Sequence, residues 1–510
     1  MLNYSLFLIR GVNLEDPHGH KWKILMAISI GAVMVPMNAS IINVSLPTIA
    51  NFFNASITTA EWVLTAYLIT LLGMVLFFGR LGDFVGHERL YLAGLAGFIT
   101  SSILCSLSPS ILYLEIFRAV QGFSAAMMLS VSMGIVKRAF PKHQLGKAMG
   151  MYSVAVAVGL ALGPAIGGIV GDALGWRFIF LVNVPLGLLS FIICYKVLVR
   201  GARRAVKWDL PGTLLQFTGL FSLVYFLNYI EKGFDTTALL IGVFSFATLA
   251  LFVWNELKAK NPLLNLNIFK NRTFSAFDVS LNFNYICTYM MLFVMPFYLQ
   301  KVLHLSVNVT GLVLTASPLI MMFLAPVSGA LSDRFGSRRP ALLGSIISTF
   351  ALLSMTGLQT TSTAMDVFWR LALLGVGTAL FQAPTNRALM ASTPPKESGA
   401  TSGIIVTTRN LGMVFAVCFG GLILNTAISP DALQQAQLFS TTAQAMTTGM
   451  HRVVLFGAVL SVLMAALAFI GLFRRSALAE STEKRIKKQG KLIERGFVET
   501  IHNVSVVLHK

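Results

Sequence analysis

Two long apolar runs of the sequence are joined by Gly79-Arg80-Leu81-Gly82-Asp83-Phe84-Val85-Gly86-His87-Glu88-Arg89. The glycines permit a tight turn, and the Asp83 carboxylate can cap a helix or bind a cation on a neighbouring helix. The Asp-x-x-Gly-x-x-Arg spacing of this segment recurs 250 residues later, at Asp333, Gly336 and Arg339. A charged turn that occurs twice, each time after an apolar run, predicts a duplicated helical unit.

Glycines elsewhere repeat at nearly the same offset. Gly146, Gly150, Gly167 and Gly168 recur 253 positions later as Gly399, Gly403, Gly420 and Gly421. Together the two sets of matches predict two six-helix bundles with two further helices inserted between them. The predicted boundaries are a cytoplasmic N-terminal tail at 1–22, a first bundle at 23–200, the inserted helices at 201–260, a second bundle at 261–475 and a basic cytoplasmic tail at 476–510.

The composition excludes a water-soluble fold for most of the chain. Hydrophobic residues make up 55% of the 510 positions and charged residues only 12%, where soluble domains usually carry about a quarter. The formal net charge of +19 would suit a nucleic-acid partner, but Lys and Arg occur in short clusters between long uncharged runs. We therefore predict a lipid bilayer as the surroundings of the chain and no nucleic-acid partner.

Apolar runs of the roughly 20 residues that a helix needs to cross a bilayer recur along the whole chain. The fourteen predicted spans are 23–45, 61–79, 90–108, 112–136, 147–170, 176–198, 209–229, 236–255, 273–299, 309–332, 341–360, 366–389, 400–424 and 452–473. Alternate loops hold most of the cations, among them Arg80, Arg89 and Lys137, which predicts that these loops and both termini are cytoplasmic. The expected fold is an all-α, multi-pass protein of the plasma (inner) membrane.

Ionisable residues inside apolar runs are costly and usually face a partner or a pathway. Arg118 lies within the fourth span, and Glu115, one helical turn away, is its expected partner. We interpret this pair as a proton or substrate relay, with a fixed structural ion pair as the alternative. Asp278 lies in the ninth span, and Arg409 is a further intramembrane polar residue.

A set of polar and aromatic residues within the spans is expected to line an amphiphilic substrate cavity, although any single Asn can instead be a contact between helices. The set comprises Asn38, Asn43, Tyr67, Gln121, Asn282, Tyr289, Gln382 and Asn386.

The fifth span is rich in glycine around an interior proline, with Gly159, Gly163, Pro164 and Gly167. This pattern predicts a helix that packs closely and bends as a hinge, with ordinary small-residue packing as the alternative. The duplicated charged turn is interpreted as a cytoplasmic gate that joins the bundles in one conformation and separates in the other. Its residues are Arg80, Asp83, Gly86, Arg89, Asp333 and Arg339, and solvated turns that only set topology are the alternative.

Nothing in the sequence indicates an enzyme, a metal site or a bound cofactor. It contains no Walker-type phosphate loop, no His/Cys cluster with metal-ligand spacing and no nucleophile elbow. Without a nucleotide site, transport would be passive or driven by an ion gradient.

The motifs resemble those of the major facilitator superfamily, and most closely those of its fourteen-helix drug:proton antiporter family. Gly79 to Arg89 is similar to motif A, Arg118 to Gly122 to motif B, and Gly159 to Gly168 to the antiporter motif C. Residues 43–47, 61–67 and 176–187 look like signatures of the fourteen-helix family. The resemblance implies proton-coupled multidrug efflux of amphiphilic, often cationic, compounds and hence drug resistance. It also implies roles for Arg118 in coupling, Asp83 in the gate and Gly163 and Pro164 in the bending helix.

One position departs from the family pattern. The family usually has an acidic residue in the first helix where this chain has Asn38, and an amide cannot release a proton. Glu115 and Asp278 are therefore the replacement candidates for proton coupling, and the missing carboxylate weakens the expectation of a cationic substrate. The partners that we expect are a small-molecule substrate and protons, for a monomeric protein. A uniporter or exporter of a metabolite or lipid, and a non-transporting receptor, are the alternatives.

Overall fold

The computed structural model describes residues 20–198, 209–230, 235–259, 263, 266–393, 398–426 and 443–469. Within these ranges the chain is helical with short connections, and it contains no β-strand. Of the two predicted tails, residues 1–19 and 476–510 lie outside the described ranges.

The helices of the two bundles follow the predicted spans in order. The first bundle contains α1 (Lys21–Phe52), α2 (Ile57–Val85), α3 (His87–Ser106), α4 (Ile111–Ala139), α5 (Lys142–Ala173) and α6 (Phe178–Val197, interrupted at Val182). The inserted helices are α7 (Leu210–Tyr229) and α8 (Thr236–Lys258). The second bundle contains α9 (Arg272–Phe297), α10 (Val307–Leu314 and Ala316–Phe335), α11 (Arg338–Met355), α12 (Ala364–Ala391), α13 (Ser398–Asn425) and α14 (Ala443–Phe469).

Twelve of the described helices are long and apolar enough to cross a membrane. The other two predicted spans correspond to α7, with 20 residues, and α11, with 18 residues. Two arginines, Arg338 and Arg339, begin α11 and reduce its apolar length. The all-α, multi-pass fold is thus confirmed, whereas the count of fourteen crossings stays a prediction.

The glycines of the fifth span form the contact between α1 and α5. A Cβ atom at Gly159 would lie 2.3 Å from the carbonyl oxygen of Val33, and one at Gly167 would lie 2.5 Å from that of Ile41. Gly163 lies between them and faces Met37 and Ser40 in the same way. The glycines of α5 and the residues that they meet on α1 both follow each other at intervals of four. The two helices therefore run parallel with their backbones in direct contact. Bending at Pro164, which lies inside a continuous α5, stays a prediction.

The second bundle repeats this parallel contact between α9 and α13. A Cβ atom at Gly412 would lie 2.6 Å from Cβ of Tyr285, and one at Gly420 would lie 2.9 Å from Cδ1 of Phe293. The second contact lies eight residues after the first on both helices, so α9 and α13 also run parallel. The pairs α1–α5 and α9–α13 therefore occupy equivalent places in the two bundles, as a duplication requires.

The inserted helix α7 contacts both bundles. The ring of Phe217 lies 2.5 Å from the position that a Cβ atom of Gly73 on α2 would take. Near the other end of α7, Nδ2 of Asn228 lies 4.0 Å from Sγ of Cys418 on α13. α8 packs on the outside of α7, where Leu249 covers Gly219.

The bundles meet mainly at two surfaces, one between α2 and α13 and the other between α5 and α10, and α1 also contacts α9 and α10. We call the two surfaces together the seam. The face of the molecule at which α1 begins and α2 ends carries Arg80, Arg89 and Lys137 and is called the basic face. The face at which α1 ends and α2 begins is called the opposite face.

Candidate functional site at the seam between the bundles

At the opposite face the seam is closed by close contacts at two glycines. A Cβ atom at Gly311 on α10 would lie 2.3 Å from the carbonyl oxygen of Pro164 and 2.7 Å from Cα of Gly168, both on α5. Between α2 and α13, a Cβ atom at Gly421 would lie 1.6 Å from Oε1 of Glu61. The neighbours of Gly311 are backbone atoms, so only glycine permits that approach, whereas Gly421 faces the end of the Glu61 side chain.

Polar side chains bridge the bundles at the same level. Nε2 of Gln300 donates a hydrogen bond of 2.6 Å to the carbonyl oxygen of Val44, and its Oε1 accepts one of 3.4 Å from Thr48. Nδ2 of Asn425 on α13 donates to Oγ1 of Thr58 on α2 over 3.0 Å. The opposite face is therefore closed by hydrogen bonds as well as by packing.

At the basic face the seam is parted. Each seam helix has a close-contact residue at the opposite face and a glycine 18 residues away: Glu61 and Gly79 on α2, Gly168 and Gly150 on α5, Gly311 and Gly329 on α10, Gly421 and Gly403 on α13. Eighteen residues make five turns of an α-helix, so the members of a pair share a helix face about 27 Å apart. Among the described residues, a Cβ atom on any of the four glycines at the basic face would meet no atom within 4 Å. The conformation is thus closed at the opposite face and open at the basic face.

Arg118 is completely buried and is hydrogen-bonded to α2 and to its own helix. Its Nε donates to the carbonyl oxygen of Val63 over 2.8 Å, and its Nη1 donates to Oε1 of Gln121 over 2.6 Å. The ion pair with Glu115 that the sequence suggested is not formed between these described residues. The backbones of α2 and α4 nearly touch, because a Cβ atom at Gly122 would lie 2.3 Å from a carbonyl oxygen of α2. The guanidinium therefore reaches the α2 backbone, which sequence spacing cannot reveal.

Asn38 belongs to the same buried network. Its Nδ2 donates to Oε1 of Gln121 over 3.2 Å, and its Oδ1 accepts from Nδ2 of Asn183 over 3.1 Å. Asn38, Gln121 and Tyr67 have no exposed surface, and Asn43 has 6%. In this conformation these side chains form packed contacts between helices, and their lining of a cavity stays a prediction for another conformation.

The predicted cavity residues of the second bundle are more accessible. Asn282, Tyr289, Gln382 and Asn386 are all half-buried. Nε2 of Gln382 donates to Oδ1 of Asn284 over 2.9 Å, which joins α12 to α9. Oδ1 of Asn386 has no hydrogen-bond partner among the residues that the structure describes. These side chains give the second bundle a polar, partly accessible wall.

The two candidate proton-binding carboxylates occupy different surroundings. Asp278 is 7% exposed, and its Oδ1 accepts a hydrogen bond of 2.8 Å from Thr408, so it joins α9 to α13 within the second bundle. Glu115 is half-buried in the second turn of α4, and within the described ranges its Oε1 has no hydrogen-bond partner. Of the two, Asp278 is closer along its helices to the polar wall.

Two acidic side chains of the turn between α2 and α3 form pairs within the first bundle. Oδ1 of Asp83 lies 3.4 Å from Nε2 of His87, within the same turn. Glu88, which the sequence analysis passed over, forms an ion pair of 3.2 Å with Arg138 at the end of α4. A contact from Asp83 to the other bundle therefore stays a prediction for a conformation in which the basic face is closed.

The two copies of the turn share a backbone conformation. Gly86 and Gly336 both have positive φ, at 106° and 77°, which side chains with a Cβ atom rarely adopt. Arg80 and Arg89 are half-buried, Arg339 is exposed, and the side chain of Asp333 lies outside the described part. The repeated glycine thus marks the same sharp turn in both bundles.

Sequence reasoning gave no role to Arg409, which the structure places in the seam. Its side chain, on α13, is half-buried. Its guanidinium lies within electrostatic range of the phenols of Tyr67, Tyr152 and Tyr285, which are buried, and of Tyr289, which is half-buried. Tyr67 and Tyr152 belong to the first bundle and the other two to the second. Their meeting depends on how the bundles pack, for which the sequence carries no local signal.

Known proteins with similar sequences are membrane transporters. The chain is 32% identical over 401 residues to the riboflavin transporter RibZ of Clostridioides difficile (strain 630), which covers 78% of this chain and 87% of that protein. It is 29% identical over 428 residues to the tetracenomycin C resistance and export protein of Streptomyces glaucescens, with coverage of 82% and 79%. It is also 31% identical over 410 residues to the multidrug resistance protein Stp of Mycobacterium tuberculosis (strain ATCC 25618 / H37Rv), with coverage of 79% and 76%.

A solved structure shows the same fold. It is that of a bacterial homologue of the human lysosomal transporter Spinster in an inward-facing and occupied conformation, with a TM-score of 0.67 over 90% of this chain and 97% of that chain. At 15% identity this likeness concerns the fold alone. The family model described as Major Facilitator Superfamily matches residues 28–267 and 277–508. The chain therefore belongs to the major facilitator superfamily.

Proposed function

We propose that this protein is an alternating-access transporter that exports amphiphilic small molecules in exchange for protons. The observation that carries the proposal is a seam closed at one face and parted at the other, with a polar wall between them. The similar proteins named for riboflavin transport, multidrug resistance and tetracenomycin C export support small organic molecules as substrates.

The glycine pairs suggest how the bundles exchange access. If one bundle rocks against the other, the glycines at the basic face approach as those at the opposite face part. Gly150 and Gly329 would then make the close contact that Gly168 and Gly311 make now. Because each pair shares a helix face, the same surfaces can serve both states without rotation of the helices.

The direction of transport rests on the orientation of the chain. Clusters of Arg and Lys mark the cytoplasmic side of membrane proteins. We therefore assign the basic face to the cytoplasm and the opposite face to the outside of the plasma membrane. In this assignment the structure is the state that takes substrate from the cytoplasm.

Asp278 is the proposed proton carrier. Its carboxylate is nearly buried and receives a hydrogen bond from Thr408, on the helix that also carries Arg409. A carboxylate in low-dielectric surroundings is costly when charged, so movement of α13 past α9 can change its proton occupancy. Glu115 is the second candidate, because its carboxylate is half-buried in the second turn of α4 and its Oε1 has no hydrogen-bond partner among the described residues.

A transporter without proton coupling is the second candidate function. The observation that favours it is the amide at position 38, which is bound on both sides by Gln121 and Asn183. A fixed amide network gives the first bundle a stable core without a titrating group.

Transport and coupling can be tested together in proteoliposomes. We expect a dye substrate to move into the vesicles down its gradient while protons move out. An entrapped pH indicator should therefore report a rise in the internal pH. Asp278→Asn should retain dye movement but lose the pH change, and the matched variant Asp172→Asn, at an exposed position of α5, should behave like the parent protein. Dye flux that persists without pH change in the parent would favour the uncoupled function, and no flux of any dye would contradict transport of such compounds.

A further inference from the structure

Arg409 is an unusual cation for the interior of a transporter. It lies in the twelfth position of α13, and its side chain is half-buried at the seam. The turn of α13 that carries Arg409 packs against α9, where Nδ2 of Asn282 donates to the carbonyl oxygen of Thr408 over 2.9 Å and Gly412 faces Cβ of Tyr285. Four tyrosine phenols, two from each bundle, lie within electrostatic range of its guanidinium. The cation is therefore close to both halves of the molecule rather than confined to one.

Among the residues that the structure describes, no carboxylate forms an ion pair with Arg409. Asp278, the intramembrane carboxylate on the helix beside it, is bound instead to Thr408. A guanidinium held at membrane depth without a counter-charge is costly, and such residues usually mark the path of a substrate.

The surroundings of Arg409 supply the other features of a ligand site. Tyr289 is half-buried and offers an aromatic face, and its ring lies 6.4 Å from that of Tyr285. Asn282 and Asn386 are half-buried there. Nδ2 of Asn282 already donates to the carbonyl oxygen of Thr408 over 2.9 Å, whereas Oδ1 of Asn386 is an acceptor without a partner among the described residues. A flat ring, a group able to accept hydrogen bonds and one negative charge would together satisfy this environment.

We propose that Arg409 is the centre of a binding site for small anionic aromatic molecules. The guanidinium binds a carboxylate, sulfonate or phenolate of the ligand, and the tyrosines of both bundles contact its ring system. This inference rests on the proposed transport function and narrows its substrate class, since the family resemblance alone implies cations. The amide at position 38 agrees with it, because no acidic group in the first helix repels an anion.

Two dyes of one ring system test the charge preference. Fluorescein is anionic and rhodamine 123 is cationic, and both have a xanthene core. We expect the purified protein in nanodiscs to bind fluorescein more tightly, measured by fluorescence anisotropy. Arg409→Gln should weaken fluorescein binding by about 10- to 100-fold, since a charge-assisted bond is lost, and should leave rhodamine 123 unchanged or improved. Arg409→Lys should restore part of the affinity, because charge is kept while the planar fork is lost.

The matched control is Arg370→Gln, another arginine of the second bundle. Arg370 is already held by Asp366 at 3.7 Å and by the carbonyl oxygen of Ser354 at 3.0 Å. We expect this variant to bind both dyes as the parent protein does. Equal loss of fluorescein binding in Arg370→Gln, or no binding of fluorescein by the folded parent, would overturn the proposal.

A second measurement reports the local potential without any substrate. In a Tyr289→Cys variant, the rates of reaction with an anionic and a cationic methanethiosulfonate reagent should favour the anionic one, and this preference should fall severalfold when Arg409→Gln is added. The four native cysteines are buried and provide a low background. An unchanged rate ratio would refute a guanidinium acting at this position.

The outcomes separate this inference from the proposed function. Fluorescein bound through Arg409 but not carried across proteoliposomes would contradict transport and leave the site in place. Flux of dyes that is indifferent to their charge and to Arg409→Gln would leave transport in place and refute the site.

Discussion

The contact of Gly311 with α5 predicts that one methyl group shifts the balance between the two access states. In Gly311→Ala, the new Cβ atom would lie 2.3 Å from the carbonyl oxygen of Pro164. Favourable contacts to carbon begin near about 3.5 Å, so α5 and α10 must separate by roughly 1 Å. Both partners are backbone atoms of long helices, so neither can move aside as a side chain would.

The magnitude follows from the cost of such overpacking. Inserting a methyl group into a closed contact costs about 1–3 kcal/mol. The strain is present only while the opposite face is closed, so it raises the population of the alternative state by about 5- to 150-fold. The fold itself should persist, because the contacts within each bundle are untouched.

Accessibility of a buried cysteine measures this shift. Thr310→Cys places a thiol at a completely buried position beside Gly311, and its reaction with a membrane-impermeant maleimide should be slow. Adding Gly311→Ala should accelerate the reaction in proportion to the new population. The matched control is Gly329→Ala in the same helix, where a Cβ atom meets no described atom within 4 Å in this conformation, so it should not accelerate the reaction. Parental labelling in Gly311→Ala, or equal acceleration by Gly329→Ala, would refute the reasoning.

Three further predictions concern other contacts. Gln300→Leu removes the bond to Val44 across the seam and should expose the opposite face to maleimide about 2- to 10-fold more often; unchanged labelling would assign that bond no part in closure. Asn38→Asp needs a proton to keep donating to Gln121, so its thermal stability should fall as pH rises while the parent changes less, and parallel pH profiles would contradict the network. Gly163→Ala places a Cβ atom against α1 and should lower thermal stability by about 1–3 kcal/mol, whereas Gly150→Ala, in open space, should not; equal melting of the two variants would count against the packing role.

The sequence predicts the features that repeat or that depend on one helix alone. Apolar length locates each helix, because a bilayer demands about 20 apolar residues wherever a chain crosses it. The Asp-x-x-Gly-x-x-Arg turn predicts the duplication, and Gly86 and Gly336 confirm the shared backbone conformation. These features depend on one segment of the sequence, so they can be predicted without knowing which helices are neighbours.

The partners of the polar residues could not be predicted in the same way. Arg118 has a carboxylate one turn away, yet it binds the backbone of α2, because glycine brings that helix closer than the local side chain. Asn38 and Gln121, which were expected to line a cavity, form a packed network in this conformation. Which polar groups meet is decided by the distance between helices, and that distance is set by small residues on both sides.

The position of α7 has a consequence for molecules dissolved in the lipid. This helix covers the border of α2 and α13, with Phe217 against one and Asn228 against the other. The border of α5 and α10 has no such cover among the described helices. We therefore expect a hydrophobic compound to enter sideways from the bilayer only past α5 and α10. The two inserted helices would therefore reduce the lateral openings of the transport pathway to the bilayer from two to one.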